Sequence, residues 1–444
     1  MLHSDRRALF HEHRERALAR LAADDACALV FSGSPRIRNH DAEHRFRPES
    51  DFWHLTGFGE PEAVLVLAPR GAQARSVLFL REREREMEIW NGRRLGVAAA
   101  PAALGIERAH PIGELWSRLP DYVRGHERLV YRTGLDEARD RQAIALLGRV
   151  RPTIRNGATA PQQWADPALS LHELRLFKTP GELECMRRAA AISAAAHLAC
   201  LRAARPGVHE RELDALLDYE FARRGASGAA YTNIVAAGEN ACILHYIEKA
   251  AELRAGDLLL VDAGAEYECY ASDVTRTYPI GGRFSPEQRA LYELVLRVQK
   301  ECIALVGPGR PFWGVHEHAL AELSRGLIEL GLLKGTLEEV LAQASYKRFY
   351  MHRTSHWLGL DVHDCGAYHV AGAGRTLEPG MVLTVEPGLY IAPDDETVEP
   401  RWRGLGVRIE DDVLVTRDGH EVLTEAIPKE VAELETLVGA GALP

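Results

Sequence analysis

Carboxylates and imidazoles recur where this chain is otherwise apolar. In Leu258–Thr277 (LLLVDAGAEYECYASDVTRT), Asp262 ends an apolar strand. Asp273 lies eleven positions on, in a second strand-like stretch beyond a turn around Gly264–Glu268. Folded as a hairpin, the two carboxylates can face each other. A buried carboxylate is costly unless it is paired or bound to a metal. Two adjacent ones repel, so a cation between them is the natural resolution. On this segment alone, exposed strand ends account for the two residues equally well. Tyr350–Asp364 (YMHRTSHWLGLDVHD) holds His352, His356 and His363, spaced four and seven apart among apolar and small residues, and the spacing is not H-E-x-x-H. Glu386 in TVEPG and Glu410 in GVRIED each close an apolar run. Arg408 stands two residues before Glu410, so strand alternation puts both on one face; an ordinary ion pair explains that placement too.

Together Asp262, Asp273, His356, Glu386 and Glu410 form a set of mostly hard oxygen donors. Such a set suits two Mn²⁺-like divalent ions better than a thiolate-bound zinc. Two ions roughly 3.5–4 Å apart can hold and activate one bridging water. The four carboxylates and a hydroxide nearly balance two divalent cations. No Walker A, G-x-S-x-G or G-x-G-x-x-G pattern offers another chemistry.

The elements that must position these residues fall into two parts. With 444 residues the chain exceeds the usual single-domain size, so two domains are expected. Residues 5–22 read as a surface helix. Cys27–Phe31, Ala63–Ala68 and Ser76–Leu80 read as buried strands, and residues 136–149 return to helical periodicity. The first part is thus α/β. The Arg81–Glu88 run (REREREME) reads as a solvated strand with opposite charges on its two faces, and Trp90 beyond it as an interface candidate. Residues 151–170, with three prolines and no clear period, read as a linker. A helix opens at Thr179-Pro180-Gly181-Glu182, a capping box with proline in the first turn, and Ser285-Pro286-Glu287-Gln288 is a second such start. A faint repeat aligns Leu253–Asp262 with Leu377–Glu386: leucine to glycine takes three steps in each, and glycine to the acidic residue six more. Each copy follows a helical stretch near a Pro-Gly pair, Pro206-Gly207 and Pro308-Gly309. Two half-domains of related design would account for this, and so would coincidence.

Composition excludes several classes. The net charge of −10 argues against a generic nucleic-acid binder. Seven widely spaced cysteines without a C-x-x-C argue against a disulfide scaffold or zinc knuckle and fit a reducing cytosol. The N-terminal MLHSDRRALFHEHRERALARL lacks the apolar core of a signal peptide, and no apolar run is long enough to span a membrane. A cytoplasmic protein without membrane contact is expected.

The ordered set Asp262, Asp273, His356, Glu386, Glu410 resembles that of the pita-bread metallopeptidases, a family that includes methionine aminopeptidases, prolidases and the aminopeptidase P branch. The resemblance to that branch reaches the first half, in SDFWHLTGFGEPEAVLVL (Ser50–Leu67) and EIWNGRRLG (Glu88–Gly96). It implies an α/β N-terminal domain over 1–171 and an α+β pita-bread catalytic domain over 172–444 with an internal pseudo-twofold repeat. The five residues would ligate two divalent ions, Mn²⁺ first, with Co²⁺, Zn²⁺ or Mg²⁺ as substitutes. Glu386 would also move the proton from the attacking water to the leaving nitrogen. His363 would steady the scissile carbonyl, His245 would lie on the leaving side, and His352 would enclose the proline. Arg408 would hold Glu410, and Tyr390 would form part of the pocket wall. The implied substrates are peptides with proline second, and the implied assembly is a homodimer or homotetramer. Prolidase is the nearest rival. A non-catalytic binding protein on the same fold is the other, and the intact ligand set argues against it.

Overall fold

The computed structural model describes residues 6–71 and 73–441. The chain divides into two compact units, Met1–Arg175 and Leu176–Pro444. In the first, strands run in the order Arg108–Pro111, Ser76–Leu80, Val64–Leu67, Ala26–Phe31, Arg128–Val130, Gln163–Ala165. Val64–Leu67 is antiparallel to both neighbours; the other pairs are parallel. The expected apolar runs are these strands, and both of their faces are covered. Ala28, Val30, Leu65, Leu67, Leu78 and Leu80 pack on one side with Leu18, Phe52 and Leu55. Cys27, Leu29, Val64, Val66, Val77 and Phe79 pack on the other with Leu115, Leu119 and Leu146. Adjacent residues of a strand enter opposite cores, which is why these strands read as unbroken apolar runs and not as alternation. The first helix runs Arg7–Ala23, so its expected start at residue 5 lies outside the described residues.

Two local expectations fail in this unit. Residues 151–170 are not a plain linker. They hold a 3₁₀ turn at Arg151–Asn156 and the strand Gln163–Ala165, which pairs with Arg128–Val130. Three residues are too few to show a period, so only the pairing reveals the strand. Arg81–Glu88 is not a strand either: the chain leaves Ser76–Leu80 and forms the helix Arg85–Asn91, which buries none of its residues. Arg, Glu and Met favour helix, and with no buried face the charge alternation had nothing to enforce. Trp90 on this helix is 82% exposed.

The second unit carries the repeat in its backbone. Capping boxes at Thr179/Glu182 and Ser285/Gln288 start helices Pro180–Ala203 and Pro286–Ala304. Helices Glu210–Arg223 and Phe312–Glu329 follow. The hydrogen bonds then match pair by pair. Gly207 N donates to Leu253 O and Gly309 N to Leu377 O, both at 2.9 Å. Gly256 N donates to Ile280 O and Gly380 N to Val415 O, again both at 2.9 Å. Gly256 and Gly380 share a left-handed backbone, with φ of +92° and +94°, which glycine adopts without a steric penalty. The aligned strands are Leu258–Asp262 and Val382–Val385, each antiparallel to a returning strand, Thr275–Pro279 and Asp411–Val415. Coincidence does not account for matched donors and acceptors.

The Asp262–Asp273 hairpin forms with a different turn from the one expected. Glu268 and Cys269, at φ +51° and +64°, make the reversal between Ala265–Tyr267 and Tyr270–Ala271. Asp273 precedes the strand Thr275–Pro279 and does not lie within it. Gly264 instead marks where the two arms come closest: a Cβ there would meet Ser272 O at 1.7 Å. That approach brings Asp273 back beside Asp262. Replacing Gly264 with Ala should force the arms apart, destabilise the unit by about 1–3 kcal/mol and lower its bound metal. A denaturation midpoint and metal content equal to wild type would contradict this.

Candidate metal centre

The two halves of the repeat aim their acidic residues at one point. Asp262 ends its strand paired with Thr275. Glu386 follows Val382–Val385, with its N–H on Thr354 O at 2.8 Å. Glu410 sits just before Asp411–Val415, with its N–H on Thr275 O at 3.1 Å. His356 comes from the loop beside Val382–Val385, where Thr384 N donates to its carbonyl at 3.0 Å. The donor atoms of Asp273, His356 and Glu410 lie within 4.8 Å of one another. His356 Nε2 is 3.4 Å from Asp273 Oδ2 and 3.3 Å from Glu386 Oε1. Its Nδ1 donates to Trp357 O at 3.0 Å, which turns Nε2 toward the carboxylates. All five residues are brought together.

Groups behind this set fix its oxygens. The Tyr231 hydroxyl donates to Asp262 Oδ1 at 2.5 Å, and Arg408 Nη2 donates to Asp262 Oδ2 at 2.6 Å. Arg408 Nε also donates to Thr275 Oγ1 at 3.0 Å, and that hydroxyl donates to Glu410 Oε2 at 2.6 Å. Arg408 therefore reaches Glu410 only through Thr275; its direct carboxylate partner is Asp262. Asp412 takes the Asp273 N–H at 3.1 Å and the Ser272 hydroxyl at 2.8 Å. Sequence reasoning missed Tyr231, Thr275 and Asp412. Only Asp412, an acid at an apolar strand position, carried any signal.

The set opens on a cavity of about 740 Å³ also lined by His245, His352 and His363. The His363 ring packs edge-on against His356, centroids 4.4 Å apart. His352 Nδ1 lies 3.7 Å from Glu386 Oε2. Tyr390 is not part of the wall. It is buried behind it, its hydroxyl 2.9 Å from both His352 Nε2 and Arg408 Nη1. The ring that sequence reasoning placed beside substrate instead sets the two residues in front of it.

Electrostatics show what the cluster lacks. Burial lifts the Glu386 carboxyl to about 7; Asp273 and Asp262 add to the rise, and His356 and Arg408 oppose it. Burial and the charges of Asp273, Glu386 and Asp262 hold Glu410 well above the carboxylate range. Burial also raises Asp262, against the pull of Arg408. Asp273 goes down: burial works against it, but the hydrogen bond and charge of His356 prevail. Burial would lower His356, yet the Asp273 hydrogen bond and the charges of Glu386 and Asp273 carry it to about 9. By itself the cluster uses protons as its countercharge. Two divalent cations fit the same need, and the donor set of four carboxylates and one imidazole fits them. Burial and Arg408 push His352 down to about 3, and burial and His356 lower His363, so both are neutral at pH 7.

Comparison with known proteins gives a consistent result. The model of metallopeptidase family M24 matches residues 184–417, and that of the aminopeptidase P N-terminal domain matches residues 10–131. The chain is 44% identical to an Xaa-Pro aminopeptidase of Escherichia coli K12 over 97% of each protein. It is 41% identical to the Xaa-Pro aminopeptidase of Haemophilus influenzae, over 97% of this chain and 96% of that one. The structure of Pseudomonas aeruginosa aminopeptidase PepP aligns with a TM-score of 0.93 at 48% identity, over 97% of this chain and 98% of that one.

Loading the metal-free protein should displace the protons on His356 and Glu410. At pH 7 we expect on the order of two protons released per chain on saturation with a divalent ion. The slope of calorimetric binding enthalpy against buffer ionisation enthalpy measures this, and a slope of zero would contradict it.

Proposed function

The chain belongs to metallopeptidase family M24, with an aminopeptidase P N-terminal domain, and on that premise we propose that it is a metal-dependent aminopeptidase that releases the first residue of peptides whose second residue is proline. One observation carries the reading: four carboxylates and an imidazole, with Asp262, Asp273 and Glu410 buried and His356 and Glu386 partly exposed, open on a cavity that three further histidines line. Its relatives in E. coli and H. influenzae are Xaa-Pro aminopeptidases. Catalysis is assigned to the 172–444 domain, and the 1–171 domain is non-catalytic.

Asp262, Asp273, His356, Glu386 and Glu410 would hold two divalent ions. Hard oxygen donors favour Mn²⁺, with Co²⁺, Zn²⁺ or Mg²⁺ as substitutes. When bound, the ions supply Lewis-acid polarisation of the carbonyl and lower the pKa of the attacking water. The chain's own groups do the rest. Glu386 takes a proton from the water and delivers it to the leaving nitrogen. The leaving nitrogen must gain a proton before it can depart as an amine, and in an Xaa-Pro bond that nitrogen has no N–H of its own to serve as a donor. His363, neutral at pH 7, donates an N–H to the carbonyl oxygen as it gains charge. His245 lines the leaving side. His352, oriented by the Tyr390 hydroxyl, encloses the proline ring. Arg408 holds Asp262 directly and Glu410 through Thr275.

Among the described residues no helix is long and apolar enough to cross a membrane. The seven cysteines are widely spaced and form no C-x-x-C, which suits a reducing cytoplasm. We assign the protein there, as a homodimer or homotetramer acting on peptides and not on nucleic acid.

Ala-Pro-Ala should be cleaved to Ala and Pro-Ala, activity should vanish on chelation, and a divalent ion should restore it. Unchanged hydrolysis after chelation would sink the reading, and turnover of Ala-Pro alone would make the protein a prolidase. Glu386→Gln should lower kcat on the order of 10²- to 10⁴-fold. Metal content measured alongside separates loss of the proton shuttle from loss of an ion.

A further inference from the structure

Two guanidiniums line the substrate cavity, Arg408 and Arg353. Arg408 is buried and engaged, with Asp262, Thr275 and Tyr390 taking its donors. Arg353 is different. It is exposed, and among the described residues it makes no ion pair. Its guanidinium carbon lies 4.9 Å from the centroid of the Trp313 ring. An arginine stacked on an indole keeps its planar fork oriented while its N–H edges stay available. The backbone on either side is fixed. The Arg353 carbonyl lies 2.8 Å from His352 Nδ1. The Thr354 carbonyl takes the Glu386 N–H at 2.8 Å, and the Thr354 hydroxyl lies 2.8 Å from His316 Nδ1 and 2.6 Å from the Tyr350 hydroxyl. A pinned loop thus holds an unpaired cation at the cavity, one residue outward of His352.

The occupant of such a fork is an anion, and the position of Arg353 beside His352 in the lining of the same cavity limits which one. His352 is only 19% exposed and sits 3.7 Å from Glu386, whereas Arg353 faces outward. In an extended substrate, two residues beyond the scissile bond span about 7 Å. At that reach a tripeptide presents its own C-terminal carboxylate. A longer peptide presents an uncharged amide at the same place. Resting on the functional reading above, we propose that Arg353 captures the C-terminal carboxylate of Xaa-Pro-Xaa tripeptides and gives this protein a preference for them over longer peptides. A guanidinium pairs a carboxylate through two parallel N–H···O bonds, and an amide oxygen cannot reproduce that charge-assisted pair. The competing account is that Arg353 only covers the apolar face of Trp313 with its stem. In that case the charge of the substrate's end is irrelevant.

Steady-state kinetics on the metal-loaded full chain separate the two. The substrates are Ala-Pro-Ala, its C-terminal amide, Ala-Pro-Ala-Ala and Ala-Pro, with wild type, Arg353→Ala and Arg353→Lys. The free tripeptide should exceed its amide roughly tenfold in kcat/KM, through KM and not kcat. Raised salt should shrink the difference. Arg353→Ala should bring the ratio within about twofold of one by raising KM for the acid, and Arg353→Lys should keep part of it. A wild-type ratio near one, or a ratio that Arg353→Ala leaves intact, overturns the inference and spares the functional reading. The wild-type ratio needs no variant to fold. Turnover of no Xaa-Pro peptide, or of Ala-Pro alone, overturns the functional reading itself.

Discussion

Everything in the second unit answers to the cost of gathering like charges in a dry place. Asp262, Asp273 and Glu410 are buried, Glu386 is partly exposed, and all four line one cavity. Two unit charges 4 Å apart interact by about 4 kcal/mol at an effective dielectric near 20. The carboxylates therefore cannot all stay charged without compensation. The structure supplies some of it. Arg408 is bonded to Asp262, and His356 faces Asp273 and Glu386. The rest is left to protons or to divalent ions, which is the property a metal site requires. With two such ions and a hydroxide in place, the Arg408 cation brings the centre close to neutral. The net charge of −10 is thus partly the donor set of one site.

Repulsion of this size also has to be resisted mechanically, and the repeat does so. Each half ends an apolar strand on an acid, Asp262 and Glu386, and each brings a second acid alongside on the returning chain, Asp273 and Glu410. The strands are fully buried, so no carboxylate can swing away without exposing core. The closest approaches are between backbones, at Gly264 over Ser272, where a side chain has no room to intervene. Hydroxyls from Tyr231 and Thr275 then hold one oxygen each of Asp262 and Glu410, and Arg408 takes the second Asp262 oxygen.

Outside the centre, buried ion pairs hold its scaffold in place. Arg276 donates to Glu410 O at 2.6 Å and to Asp411 Oδ1 at 2.7 Å, and Lys429 Nζ reaches Asp411 Oδ2 at 2.5 Å. This network fixes Asp411 and the Glu410 backbone without touching the Glu410 carboxylate. Lys178 pairs with Asp364, the residue after His363, at 2.9 Å, and both side chains are almost fully buried. Isolated buried pairs contribute little net stability, but removing one partner strands a charge, so they fix geometry. Here the geometry they fix is that of Glu410 and of the His363 loop.

The sequence by itself marked the residues that meet at the centre. Acids at the ends of apolar runs and a histidine cluster among small residues marked the five residues that the fold gathers, because buried groups of this kind need compensation. Capping boxes and Gly-to-acid spacings announced the helix starts and the repeat, because those signals are local and act over a few residues. Tertiary structure alone decided the partners. That Arg408 bonds Asp262 directly and Glu410 through Thr275, that Tyr390 stands behind the cavity and not in its wall, and that Tyr231 holds Asp262 from 31 positions away all follow from how distant strands cross. The same limit hid the strand Gln163–Ala165, which exists only through pairing with Arg128–Val130. It also turned a charged run into the helix Arg85–Asn91, since a segment with no buried face carries no periodicity that burial can read.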